Sequence, residues 1–284
     1  MKQIIVPVDF SQESLEGLKL AITLSRKIPA TIEMVYVQRK ANEFFHITQE
    51  KEYQLAEDKF ENLVDEYTPM LPEHTKLTYI IKRGKIYREV VNQAHSFTDS
   101  FIVSSTHGAS GFENFFIGSN TFKIITATGR PVFTIRETIS PREIKTIVLP
   151  LDTSHDTRQK VPFTGEIAKA FGATLHVVNV CKHMTPEFEK KLNAYSKQTC
   201  EYLDYHNLTY TTASLSGDNI TDLTLDYARK VNADLISIMT EQSLAFSGLV
   251  LGGNAQDMLN KSEFPVLSIT PKELSIGGNF KAQG

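Results

Sequence analysis

Short runs of β-branched and apolar residues alternate along the chain with longer amphipathic stretches. The first run, Ile4 to Val8, ends in a polar segment, after which apolar residues recur with helical spacing at Leu15, Leu18 and Ile22. Short continuous apolar runs are typical of buried strands, whereas spacings of three and four are typical of amphipathic helices. This alternation predicts a parallel sheet covered by helices on both faces.

The same pattern occurs twice. The segment IIVPVD at residues 4–9 returns as IVLPLD at residues 147–152, so the two aspartates lie 143 positions apart. The second strand-like run ends 28 residues after each aspartate, at Val37 and Val180. Pro131 and Pro265 lie only 134 positions apart, which places a net deletion of nine residues in the middle of the second half. The chain is therefore an internal repeat.

Each half predicts the order β-α-β-α-β-α-β-α-β. The fold class is α/β, with two repeated doubly wound domains that each contain a five-stranded parallel sheet. We predict that the domains span residues 1–138 and 144–273, that the joint lies within residues 137–145, and that residues 274–284 form a flexible tail. The strands are predicted at residues 4–8, 31–37, 77–81, 101–104 and 131–135, and at residues 146–151, 174–180, 210–215, 235–238 and 265–269.

The composition excludes several classes of protein. Hydrophobic residues make up 41% of the 284 residues and charged residues 22%, which excludes disordered and fibrous chains. With 30 basic and 33 acidic residues and no basic run, neither nucleic acid nor membrane is an expected partner. The start reaches an acid too soon for a signal-peptide core, so we expect a cytoplasmic protein. Cys181 and Cys200 are too few for a disulfide framework and are interpreted as reduced thiols.

Candidate chemistry lies in the loops that follow strands, because ligands of doubly wound sheets bind at the carboxyl ends of strands. Asp9 comes where the first strand ends and could accept hydrogen bonds from a ligand hydroxyl. Gly118, Ser119 and Thr121 precede a helical pattern, and such a helix start can hold a phosphate with its backbone N–H groups. An ordinary N-cap and a helix-entry aspartate are the structural alternatives. Gly129 is predicted to end that helix as its C-cap.

These residues resemble a known family. The resemblance is to universal stress proteins. It is carried by Pro7-x-Asp9-x-Ser11, by Val37, and by a loop motif in which nine residues separate Ser105-Thr106-His107-Gly108 from Gly118-Ser119-Asn120-Thr121. ATP-binding members carry Gly-x2-Gly-x9-Gly-(Ser/Thr) at this place. The resemblance covers both halves, so the chain resembles a tandem member with the adenine nucleotide alpha hydrolase-like fold.

The resemblance implies a role for each matching residue. Asp9 would contact the nucleoside and the main chain at Val37 would bind the adenine edge, while the phosphates would lie against His107, Gly108, Gly118, Ser119 and Asn120, with Thr121 as a further polar position. ATP, accompanied by Mg²⁺, is the implied cofactor of the first domain. The first motif glycine is Ser105 in this chain. If that position needs positive φ, serine weakens the site, and if only its N–H is used, serine is tolerated.

The second half departs further from the motif. In the same register, the two leading glycines are Met239 and Gln242, and the final pair is Gly252-Gly253. Asp152 and Val180 are retained, so the nucleoside end of the pocket persists without its phosphate loop. We therefore predict that the second half binds ATP weakly or not at all.

Two function hypotheses follow. The first is a nucleotide-binding module of stress response or signalling, and the second is a protein-interaction scaffold with both pockets vestigial. A dedicated ATP-dependent enzyme is a third alternative, but no activated nucleophile or paired acid and base supports it, so slow ATP hydrolysis is the most that we expect. No metal-ligand spacing occurs among His46, His95, His107 and His183. The family also implies that the two last strands, residues 131–135 and 265–269, pair within the chain, and it is compatible with a homodimer.

Overall fold

The computed structural model describes residues 1–38, 46–106, 117–136, 139, 141–240, 242–245 and 248–271. The chain divides into two compact units. One comprises Met1–Arg142 with Leu259–Pro265, and the other Glu143–Met258 with Val266–Gly284.

The first unit contains five parallel strands in the order β3-β2-β1-β4-β5. Its strands are β1 (Lys2–Pro7), β2 (Ala30–Gln38), β3 (Lys76–Arg83), β4 (Ser100–Ser105) and β5 (Val132–Ile135). Its helices are α1 (Gln12–Ser25), α2 (His46–Tyr67), α3 (Ile86–His95) and α4 (Ser119–Ala127), with a short 3-10 helix at Thr68–Met70.

The second unit repeats this order as β12-β9-β6-β7-β8, again with parallel neighbours. Its strands are β6 (Thr146–Leu151), β7 (Thr174–Cys181), β8 (Tyr210–Ser216), β9 (Leu235–Met239) and β12 (Val266–Ile269). Its helices are α5 (Val161–Phe171), α6 (Pro186–Tyr205), α7 (Ile220–Lys230) and α8 (Gly253–Lys261). An antiparallel pair, β10 (Gln242–Ala245) and β11 (Gly248–Leu251), has no counterpart among the predicted strands.

The central strands are buried along their whole length. Every residue of β4, β5, β9 and β12 is buried. Because successive side chains of a strand point to opposite faces, a wholly buried strand must be covered on both faces. The helices supply this cover with apolar stripes such as Val90, Val91 and Ala94 of α3, which are buried while the rest of that helix is largely not. The predicted α/β fold with two repeated, doubly wound sheets is confirmed.

The position of the candidate site follows from strand order. The chain adds β2 and β3 on one side of β1, and then β4 and β5 on the other. The order therefore reverses between β1 and β4 in the first unit, and between β6 and β9 in the second. Such a reversal leaves a crevice at the carboxyl ends of the two strands, because the connections leave in opposite directions.

One local prediction was wrong. Gly129 is not the C-cap of α4, because the helix ends at Ala127 and its cap is Thr128 in extended conformation. Gly84 and Gly172 are the glycines with positive φ in the described part of the chain, so Gly129 does not use glycine's special freedom.

Candidate functional site

The turn after β1 is held by Asp9. Its Oδ1 accepts hydrogen bonds from the backbone N–H of Ser11 at 3.1 Å and from the Ser11 hydroxyl at 2.5 Å. Ser11 is the N-cap of α1, because its Oγ accepts a bond from the N–H of Ser14 at 3.2 Å. The Ser14 hydroxyl in turn accepts from the N–H of Asp9 at 3.3 Å. Asp9 is therefore a helix-entry residue, but it is exposed, and a carboxylate has lone pairs for several donors.

Phe10, which sequence reasoning missed, shapes the surroundings of this turn. Its φ of 64° is unfavourable for a bulky residue, and it is held there by packing. The ring lies 5.2 Å from Tyr36 and 4.8 Å from Phe60, with the Lys59 ammonium 5.0 Å from its centroid. Burial, together with a 2.7 Å hydrogen bond from its hydroxyl to Glu52, raises the pKa of Tyr36 to about 12. An uncharged aromatic cluster thus lies next to the exposed aspartate.

The main chain of Val37, where the adenine contact is predicted, lies beyond the part of β2 that pairs with β1. The pairing of β1 with β2 ends where Pro7 lies opposite Val35, whose carbonyl still accepts a bond from the N–H of Val8 at 3.0 Å. Backbone groups of residues two apart point to the same side of a strand. The N–H and C=O of Val37 therefore point toward the side from which β1 has departed, which is the edge where an adenine could pair.

The start of α4 supplies backbone donors. Gly118 is its N-cap and has no side chain that could cap the first turn, and the N–H groups of Ser119, Asn120 and Thr121 are those that a helix leaves without intrahelical acceptors. Ser119 is exposed and Asn120 is half-buried. The N–H of Gly118 donates to the carbonyl of Thr106 at 2.5 Å. A ligand could therefore approach the backbone closely at Gly118. The N–H of Gly118 itself is already bonded to Thr106 and does not offer a donor to a phosphate.

Thr121 has a structural part in this arrangement. It is buried, and its hydroxyl donates to the Ser105 carbonyl at 2.8 Å and lies 3.2 Å from the Ser104 hydroxyl, which ties α4 to the end of β4. Ser105 is not among the described non-glycine residues with positive φ, so serine is sterically tolerated at the first motif position. A Cβ on Gly17 would lie 3.3 Å from the Ser105 nitrogen, so α1 approaches β4 closely here because residue 17 is glycine.

The structure brings most predicted residues of the first half to one crevice. Pro7 ends β1 and Asp9 follows it, Ser105 ends β4, and Gly118 caps the start of α4, on the two sides of the strand-order reversal. His107 and Gly108 lie outside the described residues.

The second half retains the aspartate turn. The Oδ1 of Asp152 accepts from the N–H of Ser154 at 2.8 Å, and the N–H of Asp152 donates to the hydroxyl of Thr157 at 3.1 Å. These are the same offsets, two and five residues, as in the first half. The repeat therefore extends to individual hydrogen bonds.

The second half differs where the phosphate loop would be. Met239 ends β9 opposite Ile269, in the register position that Ser105 holds opposite Ile135. Gln242, at the second glycine position, begins β10 of the antiparallel pair. A paired strand therefore starts three residues after Met239, at a position that the glycine motif would leave to a loop.

Two kinds of feature are absent from the described residues. No group of three or more His, Cys, Asp and Glu side chains there could hold a metal ion. No helix in the described part of the chain is long and apolar enough to cross a membrane.

Comparisons with known proteins identify the family. The model of the universal stress protein family matches residues 1–136 and again residues 143–269. A universal stress protein from Archaeoglobus fulgidus DSM 4304 superposes with a TM-score of 0.77 at 17% identity, covering 94% of this chain and 98% of that one. A functionally unknown protein from Pseudomonas aeruginosa PAO1 superposes with a TM-score of 0.62 at 15% identity, covering 95% and 92%. At these sequence identities, the similarity to the solved structures concerns the fold alone. A comparison with curated proteins found no match. Because the family model accounts for both halves, the chain belongs to the universal stress protein family.

Proposed function

We propose that the first half binds an adenine nucleotide, ATP with Mg²⁺, and that its occupancy changes how the protein contacts other proteins in a stress or signalling response. In this proposal the second half is mainly structural with respect to the nucleotide. The observation that carries it is the start of α4, which has no side-chain cap and lies across the strand-order reversal from Asp9.

The phosphate end of the site rests on backbone donors. The N–H groups of Ser119, Asn120 and Thr121 combine with the positive end of the helix dipole, and together these favour an anion. Mg²⁺ keeps much of its water shell and is usually bound through phosphate oxygens plus one or two carboxylates. The ion would therefore come with the nucleotide, and it needs no cluster of protein ligands.

The nucleoside end rests on two groups at neighbouring strands. The exposed carboxylate of Asp9 can accept a hydrogen bond from a ribose hydroxyl. The main chain of Val37 offers one donor and one acceptor on the side that β1 has left, which suits the edge of adenine. Selectivity for adenine over other bases would follow from this main-chain pair.

Calorimetric titration of the full chain with Mg-ATP tests the proposal. The informative variant is Gly118→Val, whose φ of −57° accommodates valine, so that crowding of the phosphates rather than backbone strain is tested. Gly252→Val is the matched control, because Gly252 precedes α8 as Gly118 precedes α4 and its carbonyl likewise accepts the bond four residues on. We expect one nucleotide per chain, at least a roughly tenfold loss of affinity in Gly118→Val, and no change in Gly252→Val.

Two outcomes would contradict the nucleotide proposal. One is the absence of both ATP binding and co-purified nucleotide in mass spectrometry of freshly purified protein. The other is an equal loss in both glycine variants. The first outcome would favour the scaffold function, which is supported by Met239 at the first motif position of the second half and by the engaged N–H of Gly118. Capture of partner proteins would then be insensitive to ATP.

A further inference from the structure

A partly open cleft lies within the second unit, at the carboxyl ends of β6 and β9. Most of its walls are apolar and are formed by Pro150, Val180, Ile220, Ile238, Met239 and Met258. Its charged lining residues are Asp152 and Lys160. The cleft therefore combines an apolar body with a single amine and a single carboxylate.

Lys160 has no counterpart in the first half. The equivalent residue of the first half is Gly17. A side chain at that position would fit only if the end of β4 moved. Lys160 is only 2% exposed, and its Nζ donates to the carbonyl of Thr157 at 2.6 Å and to the Thr157 hydroxyl at 3.1 Å. These bonds use two of the three ammonium protons, and both acceptors are neutral. A buried ammonium without a carboxylate in direct contact is an expensive group to keep.

The surroundings favour the neutral amine. Burial lowers the pKa of Lys160 to about 8, and the nearby Asp152 opposes this shift only in part. The residues that α7 and α8 contribute to the lining do not titrate: Ile220, Thr221, Thr224, Asn254, Ala255 and Met258. At pH 7 roughly a tenth of the side chain is then the free amine, compared with roughly one part in 2,500 for an ordinary lysine. A desolvated lysine of this kind is a nucleophile toward carbonyl carbon.

The lining also selects against a polyphosphate. One ammonium and one carboxylate have no net charge, so they cannot offset the several negative charges of a nucleoside triphosphate. A ligand with an uncharged, apolar body and an electrophilic carbon meets all the groups that the cleft offers. We propose that the cleft of the second unit captures small apolar aldehydes as an imine with the Nζ of Lys160. This site is independent of the nucleotide site proposed for the first half.

The reaction is a condensation without a redox partner. The lone pair of the neutral amine attacks the carbonyl carbon, the C=O π electrons move to oxygen, and one nitrogen proton passes to that oxygen to give the carbinolamine. The second nitrogen proton and the hydroxyl group leave as water, and the C=N bond forms. Asp152, which acts electrostatically on Lys160 and lines the same cleft, is placed to carry protons in these steps.

Reductive trapping tests the proposal on the full chain. Incubation with benzaldehyde and cyanoborohydride converts an imine into a stable benzyl-lysine that peptide mass spectrometry locates. We expect Lys160 to be labelled at least tenfold faster at pH 7 than the exposed Lys145 and Lys197. Its labelling rate should rise with pH and level off above pH 8, and benzyl alcohol, which has the same ring as benzaldehyde but cannot form an imine, should slow it selectively.

Two variants complete the test. Lys160→Met should remove the fast label, whereas Lys169→Met, which replaces an exposed lysine on the same helix, should leave it unchanged. Labelling of Lys160 no faster than that of Lys197 would overturn the proposal. A Lys160 rate that is insensitive to benzyl alcohol, or that still climbs near pH 10, would overturn it as well, since it would show an ordinary lysine. None of these readouts depends on whether the first half binds ATP.

Discussion

The two halves have the same strand order and the same aspartate turn, yet they differ at the mouth of the crevice. In the first, Gly17 lets α1 approach the end of β4, and an uncapped helix start faces the crevice. In the second, Lys160 stands at the position of Gly17, Met239 at that of Ser105, and a paired strand begins where the loop would continue. The comparison shows that the same sheet framework presents different side chains at equivalent positions of the two crevices.

The largest effect is expected from Lys160→Met, which tests how the buried lysine of the second half affects the free energy of unfolding. The folded state releases the Lys160 proton near pH 8, whereas the unfolded chain keeps it to about pH 10.5, so the unfolded state binds more protons between these values. Stability of the wild type relative to Lys160→Met should therefore rise with pH across this window, by about 3 kcal/mol in all. Urea unfolding followed by circular dichroism at pH 7 and pH 11 measures the difference.

The control for this prediction is Lys169→Met. Lys169 is exposed on the same helix, so its replacement should leave the pH dependence of unfolding as in the wild type. A stability difference between wild type and Lys160→Met that stays constant from pH 7 to pH 11 would show that Lys160 is not desolvated.

An intermediate effect is expected in the first half, where the start of α4 is bonded to the end of β4. Thr121→Ala removes the hydroxyl that donates to the buried Ser105 carbonyl, and we expect a loss of about 1–3 kcal/mol in unfolding free energy. At the equivalent position the second half has Ala255. Thr126→Ala is the control, because the Thr126 hydroxyl bonds carbonyls of its own helix and its loss should cost less. Equal losses in the two variants would argue against a special tie at this junction.

The smallest effect separates two serines that look equivalent in sequence. Ser11→Ala removes the N-cap of α1 and should cost about 1 kcal/mol. Ser154→Ala should change stability by less than about 0.5 kcal/mol, because α5 begins only at Val161 and Asp152 bonds the backbone N–H of Ser154, which alanine keeps. Denaturant unfolding of both variants decides it, and a similar cost for the two would mean that Ser154 caps a helix in solution.

Most of the fold was predictable from the sequence, because its strands are short β-branched runs and its long helices are bounded by clear signals. The long amphipathic stretch at residues 186–205 is typical of a helix, and α6 spans Pro186–Tyr205 with Thr185 as its N-cap. The antiparallel pair β10–β11 was missed because that segment was interpreted by its alignment with the glycine loop of the first half. The alignment of the last strands of the two halves, with a displacement of 134 positions, was right. It carried no information, however, about how a sequence without those glycines would fold.

The candidate site was predictable only in part. Positions at strand ends follow from the repeat, so Asp9, Val37 and Gly118 could be named without coordinates. Phe10 could not, because nothing local marks a phenylalanine as the residue that will take positive φ. Lys160 was equally hidden, since a lysine just before a helix reads as a surface residue, and its burial depends on a cleft built by distant elements.

The aspartate turn has a consequence for how duplicated proteins diverge. In both halves the carboxylate accepts a backbone N–H two residues on, and the aspartate's own N–H bonds a hydroxyl five residues on. Selection for folding alone can keep such an aspartate in a duplicated domain, even where that domain binds no ligand. The two halves differ instead at neighbouring positions of the crevice, where the second half has Lys160 and Met239 and the first half has Gly17 and Ser105.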